Sequence, residues 1–292
     1  MKGLILINAY PNGEKFIRQA ERIAQEFRAR SIEIDVLRNG AFPVGVSEDG
    51  TPYALLSKEY AFIIYLDKDK YLGKILEKCG YRLFNSSQSV EICDDKMLTA
   101  LALKNAGISI PECIPAPLCY TPNAVADGEF LNKVAEKLHF PLVVKKSYGS
   151  FGIGVQLAEN MADLTRISND FLHIPHFYQR YVAESAGRDI RVIVVGGKAL
   201  AAMERVAQNG EFRSNIELGG TGRSIVLTPQ VAETAERAAK ALHLEYCGVD
   251  ILEEKGGTLV CEVNSNAFFE GFESATGANV AASYAQYILS VL

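Results

Sequence analysis

Three oxygen-donor side chains, Asp250, Glu262 and Asn264, interrupt two otherwise apolar runs, 247–252 and 259–264. Both runs are rich in β-branched residues, and Lys255-Gly256-Gly257 between them supplies the permissive backbone of a tight connection, so the segment reads as a β-hairpin. Carboxylate and amide oxygens are the donors that a hard cation such as Mg²⁺ takes. Glu262 and Asn264 lie two apart and share a strand face. Asp250 joins them by parity: with a loop at 255–257, Glu254 pairs with Thr258, Asp250 falls opposite Glu262, and all three donors share one face. An ordinary hairpin with its polar residues in water is the alternative. Two acids and an Asn at the ends of buried-looking strands favour Mg²⁺.

A second chemical stretch lies at 140–158. An apolar strand ends in Lys145-Lys146, passes through Ser147-Tyr148-Gly149-Ser150-Phe151-Gly152-Ile153-Gly154, and returns as a strand at Val155–Ala158. Three glycines let backbone amides close around phosphate oxygens, with lysine as counter-charge. A plain flexible hairpin is the other reading. G-x-x-x-x-G-K-[ST] is absent and a strand follows the loop, which excludes a Walker A site. Arg205 ends a further apolar strand, and 210–215 with 218–222 form a polar, glycine-rich loop, either a surface connection or a lid around an anion. Lys96 falls in the first turn of a helix running from about 95 to 105, capped by Asp94 and ended by Gly107. A lysine there opposes the helix dipole, so on its own it reads as solvated.

The elements that must position these groups come in order. A strand at 3–9, a helix with Phe16, Ala20, Ile23, Ala24 and Phe27 on one stripe, and strands at 31–37, 60–66 and 81–84 with a helix at 70–79 make a small parallel α/β lobe. Its first turn, 8–13, lacks G-x-G-x-x-G, which disfavours a nicotinamide or flavin site. The sequence leaves its role open between structural and substrate-binding. Four prolines between 111 and 122 make an extended connector. Strands follow at 176–182, 189–195 and 199–205, and helices at 161–169, 229–242 and 279–291. The boundaries expected are 1–90, 91–175 and 176–292.

At 292 residues and 48% hydrophobic content the chain can bury a large core, and a net charge of −5 offers no footprint for nucleic acid. No apolar run is long enough for a signal peptide or membrane span, so the expected compartment is the cytoplasm. The six cysteines form no C-x-x-C pair and read as buried free thiols.

With these motifs in order, from Asp95-Lys96 through Val144-Lys145 and its glycine loop, Tyr181, Asp189-Ile190-Arg191, Glu204-Arg205, Phe212-Arg213-Ser214-Asn215, Gly248-Val249-Asp250 and Glu262-Val263-Asn264, the chain from about residue 85 resembles the ATP-grasp superfamily. Within it the likeness is to RimK-like carboxylate–amine ligases of the α-L-glutamate type. The resemblance implies an α/β (α+β ATP-grasp) fold in which two antiparallel-sheet lobes clamp ATP. It implies that Lys96 and Lys145 meet the nucleotide and that Tyr148, Gly149, Ser150 and Gly152 cover its phosphates. Gln179, Arg180, Tyr181 and Val182 would line adenine, and Asp189 would sit near the ribose. Arg213, Ser214 and Asn215 would reach the phosphate or acyl-phosphate region. Asp250, Glu262 and Asn264 would hold two Mg²⁺ ions, Glu262 bridging, with Mn²⁺ as a substitute.

The implied reaction moves the γ-phosphoryl group of ATP onto a carboxylate, after which an amine displaces phosphate to give a peptide or isopeptide bond. Arg205 and Arg213 are the candidates for holding the carboxylate and the oxyanion. The amine acceptor would be a small molecule, a peptide or a protein tail, and relatives are often homo-oligomers. A thiol acceptor and a nucleotide-binding module without turnover are the alternatives. Arg180 stands where relatives often carry Glu, leaving backbone contacts to adenine. After Asn264 the chain reads Ser265-Asn266-Ala267-Phe268-Phe269-Glu270-Gly271, where many glutamate ligases read Ala-Ser-Pro-Gly, so the resemblance carries over no particular substrate.

Overall fold

The computed structural model describes residues 1–10, 13–56, 59–208, 210–216 and 219–292. The tip of the first turn, Pro11-Asn12, lies outside the described residues, as do 217 and 218 of the later glycine-rich loop.

The chain begins β1 (Lys2–Ile7), α1 (Lys15–Arg28), β2 (Glu33–Arg38), a small hairpin of β3 (Val44–Val46) and β4 (Pro52–Ala54), β5 (Phe62–Leu66), α2 (Lys70–Lys78) and β6 (Leu83–Phe84). β2, β1, β5 and β6 form a parallel sheet in that order. The stripe on α1 buries Ala20, Ile23, Ala24 and Phe27, while Phe16 turns towards a cavity. Because the chain leaves β1 for one side and returns to its other side at β5, a crevice opens beyond their carboxyl ends. Asn8 and Asp67 stand there.

α3 (Ser87–Asp94) and α4 (Lys96–Asn105) follow almost without a break. The cap of the second helix is therefore Asp95, not Asp94. Asp94 is the last residue of α3, and the chain is extended only at Asp95, whose carboxylate accepts from the Met97 and Leu98 amides. The proline-rich stretch is also more than a connector, because β7 (Cys113–Pro115) adds an edge strand. After it come α5 (Gly128–Leu138), capped by Asp127, β8 (Leu142–Lys146), β9 (Val155–Ala158), α6 (Met161–Phe171) and β10 (His176–Arg180). The four strands make an antiparallel sheet in the order β7-β10-β8-β9.

The third sheet takes β11 (Arg188–Val195), β12 (Lys198–Val206), β13 (Thr221–Ile225), β14 (Tyr246–Glu254) and β15 (Gly257–Asn264), with α7 (Pro229–Ala241) before the last two and α8 (Glu270–Thr276) and α9 (Val280–Val291) after them. Its order is β13-β12-β11-β14-β15, antiparallel throughout. β13 overlaps the segment expected to be loop: Thr221 pairs with Val206 and extends the sheet edge.

The β14–β15 hairpin corrects the expected turn. Glu254 pairs with Gly257 and Glu253 with Thr258, so the loop is Lys255-Gly256 alone, and simple counting from there would put Asp250 opposite Cys261. A register shift beside Asp250 takes up Cys261 as an extra residue, and Asp250 pairs with Glu262 after all.

One core joins the first and third sheets, with Ile5, Phe62 and Phe84 packed in the same cluster as Ile193, Tyr246 and Tyr284. Asn85 locks this junction. Its Nδ2 donates to the carbonyls of Tyr246 (2.8 Å) and Ser265 (2.9 Å), and its Oδ1 accepts from the amides of Glu245 (2.7 Å) and Tyr246 (3.0 Å). Among the described residues no helix is long and apolar enough to cross a membrane.

Candidate active site

Two hollows meet at the β14–β15 hairpin. The larger, about 480 Å³, lies between the crevice of the parallel sheet and the third sheet. The smaller, about 100 Å³, lies between the second and third sheets. Arg205, Asn215, Asp250 and Glu262 line both, so they form the wall between them.

The smaller hollow gathers most of the expected nucleotide residues: Lys145, Gly152, Gln179, Arg180, Tyr181, Val182, Asp189, Arg213 and Ser214. Alternation along β8 sends Lys145 into it, buried and with Nζ 3.5 Å from the Cys261 thiol. Lys146 points elsewhere, with its Nζ 4.9 Å from the Phe171 ring centroid. The Arg180 guanidinium is held by Glu254 at 2.9 Å. Ser150 lines the larger hollow instead, with its hydroxyl 3.3 Å from the Lys68 ammonium.

Lys96, Tyr148 and Gly149 are not among the lining residues of either hollow. Even so, Lys96 is no solvated lysine: Nζ donates to the Gly149 carbonyl at 2.7 Å and stands 3.4 Å from the Glu262 carboxylate. It thus ties the glycine loop to the wall. Arg213 grips the same loop from the other side, donating to the Gly152 carbonyl at 2.9 Å while Glu211 holds its guanidinium at 2.8 Å. Tyr148 is half-exposed, and burial with the Asp95 carboxylate pushes its phenol up to about 12.

The wall is a buried chain of alternating charge. Asp189 accepts from Arg205 Nε at 2.7 Å, Arg205 Nη2 lies 2.9 Å from Asp250, and Asp250 also takes both Nε and Nη2 of Arg191, the latter at 2.7 Å. Burial alone would push the Asp250 carboxyl up, but Arg191 and Arg205 outweigh it and hold the group below the usual carboxylate range. Burial likewise works against the Arg205 charge, and Asp250 and Asp189 overcome it, raising its pKa. Arg191 was legible only as part of a motif. Its contact with Asp250 follows from their opposition across β11 and β14.

The donor set fits a hard divalent cation. Asp250, Glu262 and Asn264 all line the larger hollow, two carboxylates and an amide oxygen converging from one hairpin. Among the described residues no group of three His, Cys, Asp or Glu forms a metal cluster, and the third oxygen donor lining this hollow is the Asn264 amide. A carboxylate offers about four lone-pair positions. Asp250 carries three guanidinium contacts, two from Arg191 and one from Arg205.

A model of the RimK-like ATP-grasp domain matches residues 93–288. The chain belongs to the RimK-like ATP-grasp family. This is a family of ATP-dependent carboxylate–amine ligases that work with ATP and a divalent metal. Within it, a probable alpha-L-glutamate ligase of Marinomonas sp. is 38% identical over 214 residues, 73% of this chain and 68% of that protein. The N-acetylaspartylglutamate synthase A of Homo sapiens is 35% identical over 228 residues, 77% of this chain but only 57% of its own length. Among solved structures, a RimK domain ATP-grasp protein from Sphaerobacter thermophilus superposes with a TM-score of 0.72 at 17% identity, over 98% of this chain and 99% of that one. D-alanine–D-alanine ligase from Bacillus anthracis complexed with ATP gives 0.73 at 18% identity, over 100% and 98%. The ATP-grasp fold thus covers the whole RimK-like chain, including the parallel lobe that the family match leaves out.

Proposed function

We propose that this chain joins a carboxylate to an amine through an acyl phosphate, with ATP in the smaller hollow and both partners of the amide in the larger. The shared wall of Arg205, Asn215, Asp250 and Glu262 carries this assignment, because a γ-phosphoryl group leaving one hollow must cross it to enter the other. In this scheme residues 1–90 face the substrates, and 91–175 and 176–292 clamp the nucleotide.

A carboxylate is a poor electrophile, and phosphorylation makes it one that an amine can attack. Phosphoryl transfer depends mainly on positioning and charge neutralisation. Lys145 and the 147–152 amides take the phosphates, Lys96 and Arg213 hold that loop in place, and the Gln179–Val182 backbone takes adenine. Asp189 is assigned to the ribose, with its carboxylate oriented by Arg205. Arg205 is kept for the incoming carboxylate and the oxyanion formed when the amine adds, and Arg191, which lines the larger hollow, is assigned beside it in place of Arg213, which lines the smaller one. Asp250, Glu262 and Asn264 would hold the divalent metal, two Mg²⁺ ions or Mn²⁺ in their place, which would supply neutralisation of the transferring phosphoryl charge.

The relatives' names make L-glutamate the first amine to try, and N-acetyl-L-aspartate the first carboxylate. ADP release over a panel of carboxylates and amines is the test. Carboxylate-dependent ADP, trapped as a hydroxamate by hydroxylamine and converted to amide by an amine, is the expected result. No stimulation by any carboxylate would remove the ligase assignment, and hydroxamate without any amide product would point to a thiol or other acceptor.

A further inference from the structure

Four carboxylates line the larger hollow among the described residues: Asp67, Asp250, Glu262 and Glu270. Three have side-chain cations. Asp250 has Arg191 and Arg205, Glu262 has Lys96, and Glu270 has Arg18 at 3.1 Å.

Asp67 differs. It is 6% exposed, and its hydrogen-bond partners are the Asn8 side-chain amide at 3.2 Å, the Asn39 side-chain amide, and the Lys68 backbone N–H at 2.7 Å. The Lys68 ammonium is turned to Asp94 at 2.7 Å. These partners follow the carboxyl ends of β1, β2 and β5, so three adjacent parallel strands converge on one carboxylate at the topological switch point, where α/β sheets bind their ligands. A buried carboxylate without a counter-cation is costly, and neutral donors orient it without neutralising it.

We propose that Asp67 is the seat of the amine substrate: its carboxylate pairs with the substrate ammonium and takes the proton that must leave before the nitrogen can attack. This rests on the ligase function proposed above. The freed lone pair forms the C–N bond at the acyl-phosphate carbon. The C–O bond to phosphate breaks with its electron pair on the departing phosphate, and the second nitrogen proton passes to that phosphate or to water. Burial pushes the Asp67 carboxyl up, only partly offset by the Lys68 and Asn8 donors, which brings its basicity closer to that of a working general base. Among the described residues, Asp69 pushes the same way by its charge while its backbone N–H lowers the group, Tyr65 is itself raised by burial, and Tyr10, Lys15, Arg18 and Lys68 line the same hollow.

The test compares wild type, Asp67→Asn and Asn39→Ala, using hydroxylamine as a nucleophile that is mostly unprotonated at neutral pH and each of the twenty L-amino acids as an ammonium-bearing one. Asp67→Asn is expected to keep carboxylate-dependent hydroxamate formation. Its kcat/KM for the amine should fall about 100-fold or more and recover as rising pH deprotonates the amine in solution. Asn39→Ala keeps the charge, loses one donor, and should move the acid limb of amide formation to higher pH while leaving hydroxamate formation unchanged. An Asp67→Asn variant with unchanged amine KM and pH profile overturns the seat. So does loss of hydroxamate formation in Asp67→Asn together with an unmoved limb in Asn39→Ala. Wild type that makes no carboxylate-dependent hydroxamate overturns the ligase function itself, and the seat with it.

Discussion

Replacing Arg205 by Leu tests the wall between the hollows most directly. In the native protein Asp189, Arg205, Asp250 and Arg191 form a chain of two negative and two positive groups, with Arg205 at 4% exposure and Asp250 the same. Arg205→Leu leaves this cluster with an uncompensated negative charge, and breaking a buried pair from one side costs about 3–5 kcal/mol. That is a large share of the roughly 5–15 kcal/mol by which a folded domain is stable. Urea unfolding should show the midpoint lowered by about 1 M or more. The double variant Arg205→Leu/Asp189→Asn restores neutrality and should recover at least half of the loss. ADP formation should fall about 10²–10³-fold in the single variant, the scale of losing one oxyanion donor. A single variant within about 1 kcal/mol of wild type, or a double variant no better than the single, would refute the charge-balance reasoning.

Glu262→Ala removes one of the two carboxylates that line both hollows and should abolish Mg²⁺-dependent ADP formation while the circular dichroism spectrum is retained; near-normal turnover would sink the metal-site assignment. Asn85→Ala strands four buried backbone groups at the junction of the first and third sheets and should cost about 3 kcal/mol or more, read by thermal unfolding. Glu26 accepts from Arg30 and Arg22, which lower its carboxyl from 4.5 to about 2. A depressed folded-state pKa stabilises above the unfolded value and is lost on acidification, so stability should decline between pH 4.5 and about 2, and the Glu26→Gln variant should decline less over that window. Equal acid limbs for the two proteins would contradict the pairing.

The hairpin, the lysine-ended strand and the order of motifs were legible because each is local: alternation, a turn composition and a spacing of two residues. The Asp94 cap failed because two helices abut, and a cap is defined by where the backbone turns extended, which either aspartate could have done. α5 carries Leu131, Val134 and Leu138 at helical spacing and could have been read. β13 could not, since its first four residues are exposed and leave no alternation to see. Asp67 escaped for another reason. Asn8 and Asn39 lie 59 and 28 residues away in sequence, and only the parallel order of the strands brings them together. Arg205 and Asp189 were both picked out as candidates, but their ion pair needed the β11–β12 register.

The extra residue at Cys261 also determines how the hairpin can vary. Because the pairing of Asp250 with Glu262 is set at the bulge and not at Lys255-Gly256, the turn and the oxygen donors lie on opposite sides of the extra residue. Lengthening or grafting at the turn would first disturb the strand ends, which touch Thr234 on α7 through Thr258 and hold Arg180 through Glu254. Deleting one residue within 259–261 would remove the bulge and leave Asp250 opposite Glu262 by simple counting from the turn. The hairpin can lose its extra residue and keep the register that aligns its two carboxylates.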